Sequence, residues 1–328
     1  MSNSENCRPI KVLIVQDWKE KYNERLRQED PDLEIIEASE REEQKQAAAE
    51  AEIALGFSSR FEIDLLAESD SLAWIQALSA GVDNIIMSAA GEKLHDKGVM
   101  LTNVSGLHRD IIAEHALALM FNFDRRLHLY RDQQHRNQWE RLDMDYITDS
   151  NLTIIGVGAI GQEIAARAKA FNMNITGVKR DASSELEHVD EILPPEKMDA
   201  AVASSDYVVS VLPYTGATEE IIDREVFAAM PETAHFINVG RGETVQEEDL
   251  LKALEEEEIA GAGLDVFQEE PLPEDSPFYD YDNVIITPHV AGSFPDYYDR
   301  ALEIFLENLR RYRNDEELVN IVDYEHGY

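Results

Sequence analysis

One cysteine stands in 328 residues, Cys7. No internal disulfide can form and no thiolate zinc site can be built, so a reducing compartment is expected. Lysine is scarce as well, with 10 lysines against 19 arginines. Together these 29 basic residues face 67 acidic ones, for a net charge of −38. Such a surface repels phosphate, so no nucleic-acid partner is expected. Long apolar runs are missing too. The longest, Ile111 to Phe123, is broken by Glu114 and His115, far short of the roughly 18 residues of a membrane span. Met1 to Ile10 lacks the basic start and apolar stretch of a secretory signal. These shortages predict a cytoplasmic protein with no membrane partner. Excess carboxylate with so little lysine predicts a surface adapted to high salt, where screening relieves self-repulsion; an ordinary acidic protein is the alternative.

What is present is globular. Hydrophobic residues make up 44% of the chain, and a length above about 200 residues favours two domains over one. Short β-branched runs alternate with helical stretches, the pattern of an α/β protein with largely parallel sheet. Lys11 to Gln16, Ile53 to Gly56 and Trp74 to Leu78 read as strands, the last leading into the turn Ser79-Ala80-Gly81. Glu40 to Glu52 and Arg109 to Leu129 read as helices, the second with Ile112, His115, Ala116, Leu119, Met120 and Phe123 on one stripe. The pattern restarts with strands at Leu152 to Gly156, Asn174 to Lys179, Tyr207 to Leu212, His235 to Val239, Gly263 to Val266 and Val284 to Thr287. Between them lie helices at Ala159 to Phe171 and Val245 to Glu258, the second ending on four glutamates, Glu255 to Glu258, that read as solvated surface.

Gly156-Val157-Gly158-Ala159-Ile160-Gly161 matches G-x-G-x-x-G between a predicted strand and a predicted helix. The first glycine permits a tight turn and the second lets a pyrophosphate approach the backbone. The third packs helix on strand, and the helix N-terminus adds N–H groups and positive potential. This context predicts dinucleotide binding. An acidic residue at the end of the next strand would hold an unphosphorylated ribose. Here Lys179 and Arg180 stand there, followed by Asp181. The two cations favour a 2′-phosphate, so NADP(H) is expected over NAD(H); an exposed basic pair, or Asp181 in the acidic role, is the alternative.

Three polar stations follow, each after a short apolar run: Asn238-Val239-Gly240-Arg241-Gly242, Asp265 to Pro273, and Thr287-Pro288-His289. Strand ends of an open parallel sheet converge on the ligand crevice, so Arg241, a glutamate and His289 form a coherent candidate set. By sequence alone Glu269 and Glu270 compete for the carboxylate position. His95, His108, His115, His128 and His135 have no such company and read as structural. No metal site is indicated.

Taken with LSAGVDNI at 78–85, AEHALAL at 113–119 and LPYTGAT at 212–218, these blocks resemble, in order and over nearly the whole chain, the D-isomer-specific 2-hydroxyacid dehydrogenases. That family contains glyoxylate/hydroxypyruvate reductases and phosphoglycerate dehydrogenases. The resemblance implies reversible reduction of a 2-oxo acid to a D-2-hydroxy acid with NAD(P)H. Arg241 would grip the substrate, His289 would be general acid and base, and Glu270, the carboxylate before Pro271, would hold the imidazolium. Asp265 would face the nicotinamide carboxamide, and Leu212, Pro213, Thr218, Val239 and Gly240 would line the dinucleotide. Ala80 and Gly81 would hold the substrate carboxylate. The implied fold is two Rossmann-like α/β domains with parallel sheets and a cleft between them. A discontinuous substrate domain (1–103 plus 293–328) and a dinucleotide domain (104–292) would form it, assembled as a homodimer in which 109–148 is a plausible interface. A dinucleotide-sensing co-repressor on the same fold is the alternative from another class, and an enzyme oxidising a phosphonate or formate the alternative within catalysis.

Overall fold

The computed structural model describes residues 8–183 and 185–324, so Cys7 lies outside the described residues. The chain divides into two compact units, Met1–Leu107 with Pro295–Tyr328, and His108–Phe294. Each is built on a sheet in which every strand pairing is parallel.

In the first unit the strands are β1 (Ile10–Ile14), β2 (Leu33–Glu37), β3 (Ile53–Gly56), β4 (Trp74–Ala77) and β5 (Met100–Thr102), in the order β2-β1-β3-β4-β5. This is the flavodoxin-like doubly wound order, with its switch point between β1 and β3. Strand side chains alternate between faces. Leu13 and Val15 therefore enter one core, with Ala54, Leu66 and Leu101, while Val12 and Ile14 enter the other, with Leu26 and Phe305. The helix Tyr297–Arg313 returns to cover this second face through Ala301, Leu302, Phe305 and Leu309, and Phe305 stacks on the fully buried Trp74 at 5.4 Å.

The second unit holds β6 (Asn151–Ile155), β7 (Asn174–Val178), β8 (Glu191–Leu193), β9 (Tyr207–Ser210), β10 (His235–Asn238), β11 (Gly261–Leu264) and β12 (Val284–Ile286). Their order, β12-β11-β10-β9-β6-β7-β8, is the dinucleotide-binding order extended by one strand, with the switch point between β6 and β9. Val208 and Phe236 face one core cluster, Val209 and Ile237 the other. Both faces of β9 and β10 are thus covered, which is why these two strands are rich in apolar residues.

Three expectations need correction. The helix from Arg109 stops at Asp124, because Arg126 adopts φ 51°, and a separate helix runs Leu127–His135. The helix predicted to Glu258 ends at Glu255. The glutamates after it are not simply solvated, since Arg224 Nη2 donates to Glu256 at 2.7 Å and to Glu258 at 2.6 Å. Last, β11 begins at Gly261 and ends at Leu264, so Asp265 and Val266 follow the strand instead of closing it. No helix among the described residues is long and apolar enough to cross a membrane.

Candidate active site

The glycine loop fills the turn after β6. Gly156 sits at φ 100°, where an added Cβ would also meet the Val211 carbonyl oxygen at 3.0 Å. A Cβ on Gly161 would lie 2.4 Å from the Gly156 carbonyl oxygen, so only glycine lets the helix Ala159–Lys169 seat on its strand. Gly158 has open space before it. The N–H groups of Ala159, Ile160 and Gly161 fall in the first helical turn, where no intrahelical acceptor exists. The loop is therefore a cradle that a side chain would fill, and it fits a pyrophosphate. Lys179 and Arg180 follow β7, Lys179 half-buried and Arg180 exposed. The Asp181 carboxylate accepts the Ser183 hydroxyl at 2.6 Å and its N–H at 3.2 Å, in a local turn.

The remaining dinucleotide candidates sit at the ends of β9 and β10. Leu212 and Pro213 follow β9, and the Thr218 hydroxyl closes that turn by donating to the Pro213 carbonyl at 2.6 Å. A Cβ on Gly240 would meet the Leu212 carbonyl oxygen at 2.7 Å, so the two strand ends touch through backbone alone. Val239 is buried and donates its N–H to Ser210.

Arg241 leaves β10 from a tight loop. Asn238 accepts the Gly240 N–H, and both Asn238 and Thr244 donate to the Arg241 carbonyl. Its guanidinium charge bears on Glu270, His289 and His108. His289 Nδ1 lies 2.7 Å from Glu270 Oε2, and the other Glu270 oxygen accepts the Phe267 N–H at 3.0 Å. Glu269 bonds to no group among the described residues, so geometry selects Glu270 for this pairing. The hydrogen bond to Glu270 raises the His289 pKa, against the opposing pull of partial burial. Burial pushes Glu270 up, but the His289 bond, the Phe267 N–H and the charges of His289 and Arg241 outweigh it and hold the carboxyl low. The pairing thus favours carboxylate with imidazolium, and no hydrogen bond among the described residues engages His289 Nε2.

His289 itself has φ 50°, an unusual value for a residue with a side chain. Its backbone N–H donates to the carbonyls of Asp265 (2.8 Å) and Thr287 (3.0 Å). The Asp265 carboxylate is 1% exposed and accepts from Val290 N–H and Ala291 N–H, both at 2.9 Å, and from the Thr287 hydroxyl at 2.5 Å. A carboxylate expected to face a nicotinamide carboxamide is here occupied within the protein, and it shapes the loop that carries His289.

Two histidines read as structural stand in this neighbourhood. His115, on the helix Arg109–Asp124, places Nε2 3.0 Å from the Thr287 hydroxyl. His108 lies under Gly292, whose added Cβ would meet its Cδ2 at 3.0 Å, and burial together with the Arg241 charge brings its pKa down to about 4. The signal for His115 was available, since a polar ring on a buried helical stripe must find a partner.

In the first unit, the turn after β4 offers neutral donors. Ser58 Oγ donates to the Gly81 carbonyl at 3.0 Å and Asn103 Nδ2 to the Ala80 carbonyl at 2.8 Å. With both carbonyls tied back, the N–H groups of Ala80, Gly81 and Val82 donate to no protein acceptor among the described residues. Successive N–H groups left bare in this way form an anion-binding concavity. Ser58 and Asn103 were not legible as part of it. Among the described residues no cluster of three or more His, Cys, Asp or Glu could hold a metal.

Residues 117–291 match the sequence model of the D-isomer specific 2-hydroxyacid dehydrogenase, NAD binding domain. The chain is 34% identical over 256 residues to a glyoxylate reductase of Korarchaeum cryptofilum, covering 75% of each protein. A D-isomer specific 2-hydroxyacid dehydrogenase family protein from Aeromonas salmonicida superposes with a TM-score of 0.85 at 32% identity, over 96% of this chain and 99% of that one. An NADPH-dependent glyoxylate/hydroxypyruvate reductase from Sinorhizobium meliloti, solved with NADP, superposes with a TM-score of 0.83 at 26% identity, over 97% and 100%.

Proposed function

Because the chain belongs to the D-isomer-specific 2-hydroxyacid dehydrogenase family, we propose that it reversibly reduces a small 2-oxo acid to the D-2-hydroxy acid, with NADP(H) preferred over NAD(H). The observation that carries this reading is the 2.7 Å contact of His289 with Glu270, both under the charge of Arg241. When bound, the dinucleotide supplies or accepts the hydride. Gly156, Gly158, Ala159, Ile160 and Gly161 would hold its pyrophosphate, and the basic pair Lys179-Arg180 its 2′-phosphate.

The other roles belong to this chain's own groups. Arg241 presents a planar fork of donors that can fix a 2-oxo acid through its carboxylate and carbonyl oxygens. His289 Nε2 carries the proton that the carbonyl oxygen needs as it becomes an alkoxide, and takes it back in the oxidative direction. Glu270 holds Nδ1 and stabilises the imidazolium on either side of that transfer. The bare N–H groups at Ala80 and Gly81 suit a substrate carboxylate, and a lone 2-oxo acid of glyoxylate or hydroxypyruvate size is the substrate class we favour.

Oxidation of NADPH and NADH should be followed side by side in molar salt with glyoxylate, hydroxypyruvate and a branched 2-oxo acid. Faster turnover with NADPH is the expected result. Faster turnover with NADH would transfer the ribose contact to Asp181. Tight dinucleotide binding with no turnover would overturn the enzymatic reading in favour of a sensor.

We also infer a homodimer through the second unit. Leu127, Trp139, Met144 and Tyr146 are exposed along one arm, with Trp139 at 98%, and an apolar groove between two helices is bordered by Leu117, Phe121 and Phe171. Surfaces of that kind mark a protein partner. Light scattering at twice the monomer mass is the expected outcome; a monomer at all concentrations would refute it.

A further inference from the structure

We propose that His115 and Thr287 are positioning residues for His289, through a directed hydrogen-bond relay from the His115 imidazole to the Thr287 hydroxyl to the Asp265 carboxylate. The proposal rests on the reading of His289 as proton donor, and extends it to two residues that touch no substrate.

The direction of the relay follows from proton counting. The Asp265 carboxylate is buried and already receives the Val290 and Ala291 N–H groups, so it acts as an acceptor. The single Thr287 hydroxyl proton is spent on Asp265 Oδ1 at 2.5 Å. Toward His115 Nε2, at 3.0 Å, the same oxygen can only accept, so that ring nitrogen carries its proton. Three pieces of the unit are thereby tied together: the helix Arg109–Asp124, the residue after β11 and the residue after β12. What they enclose is Thr287 to Ala291, whose backbone must hold His289 at φ 50° behind Pro288.

A left-handed residue that is not glycine persists only where its surroundings over-determine it. Here the Asp265 carbonyl fixes the His289 N–H, and the Asp265 carboxylate fixes the next two N–H groups. The Thr287 hydroxyl and His115 in turn fix the carboxylate. Loss of the hydroxyl leaves His115 Nε2–H without its acceptor on a side chain only 21% exposed, and removes one of the donors that hold Asp265. The loop then loosens, and the charged groups around His289 (Glu270, Arg241 and Asp265) shift relative to its ring.

The test uses the full chain in five forms: wild type, T287S, T287V, H115A and the double variant H115A/T287V. His289 is titrated by NMR of its ring signals, which needs no turnover, alongside steady-state kinetics. In T287V the His289 midpoint is expected to fall toward that of ordinary imidazole as the Glu270 contact slackens. Its kcat should drop about tenfold with KM little changed, as for a misplaced catalytic group. T287S should restore both, and H115A/T287V should be no worse than T287V alone, since the two residues act in one chain. A wild-type midpoint in T287V, a serine that fails to rescue, or losses that add in the double variant would each overturn the relay. A relay that passes the titration in a protein that reduces no 2-oxo acid would leave the positioning intact and remove the proposed activity.

Discussion

The two units use one architecture and load its strand ends differently. In the second, the ends of β6, β10, β11 and β12 carry the glycine loop, Arg241, Asp265 with Glu270, and His289: charge concentrated at one sheet edge. In the first, the turn after β4 offers only backbone N–H groups, held by the neutral side chains Ser58 and Asn103. The lesson is about division of labour. Proton transfer needs groups whose charge can change, whereas holding a carboxylate needs only dipoles fixed in advance.

Replacing the charged centre should have the largest effect. His289→Asn removes the proposed proton donor yet keeps a residue tolerant of φ near 50°, so kcat should fall by ~10²–10⁴-fold with dinucleotide affinity unchanged by fluorescence titration. A loss under tenfold would collapse the contrast between the units.

Glu270→Gln should cost less, about 10–100-fold, the worth of a charge-assisted hydrogen bond. Its pH dependence is the sharper readout. Folding raises His289 and lowers Glu270, so the pair's contribution to stability is lost as pH falls through the lowered Glu270 value and as pH rises through the raised His289 value. In the proposed reduction His289 acts protonated, so the rate is expected to decline as pH rises through that raised value. Glu270→Gln should move this decline to lower pH; an unmoved pH profile would show that Glu270 does not hold the imidazolium.

A Gly161→Val change forces the helix off its strand and should weaken dinucleotide binding by about 1–3 kcal/mol, measured by calorimetry. Unchanged affinity would mean that the loop is not the cradle. The smallest effect belongs to the neutral site. Asn103→Ala should raise KM for the acid about fivefold, near 1 kcal/mol for one hydrogen bond, while kcat and the pH profile stay in place. A shifted pH profile in this variant would mean that the division between the units is not real.

Legibility followed the same line. The G-x-G-x-x-G loop and Arg241 were readable because each stands after a short buried strand, and His289 because it follows the apolar run Val284–Ile286, places where period and composition change together. β2, β5 and β8 were not: β2 (LEIIE) is a half-exposed strand whose glutamates, Glu34 and Glu37, break the period of two, and the other two have three residues each. The Ala80–Gly81 donors came from the family resemblance alone, because backbone N–H groups have no residue letter, only a neighbour that ties back a carbonyl. The Thr287 partner of His115 lies 172 positions away, a separation that no local pattern spans.

The order in which the chain is made also matters. The second unit is one unbroken stretch, complete once residue 294 has been added. The face of the first unit that carries Trp74 is covered by the helix Tyr297–Arg313, whose Phe305 stacks upon that ring. On the ribosome, which emits about 5–20 residues per second, this early sheet waits more than two hundred residues for its cover. A unit begun before the second is therefore finished after it, and its bare Trp74 face is where a chaperone would find its longest opportunity.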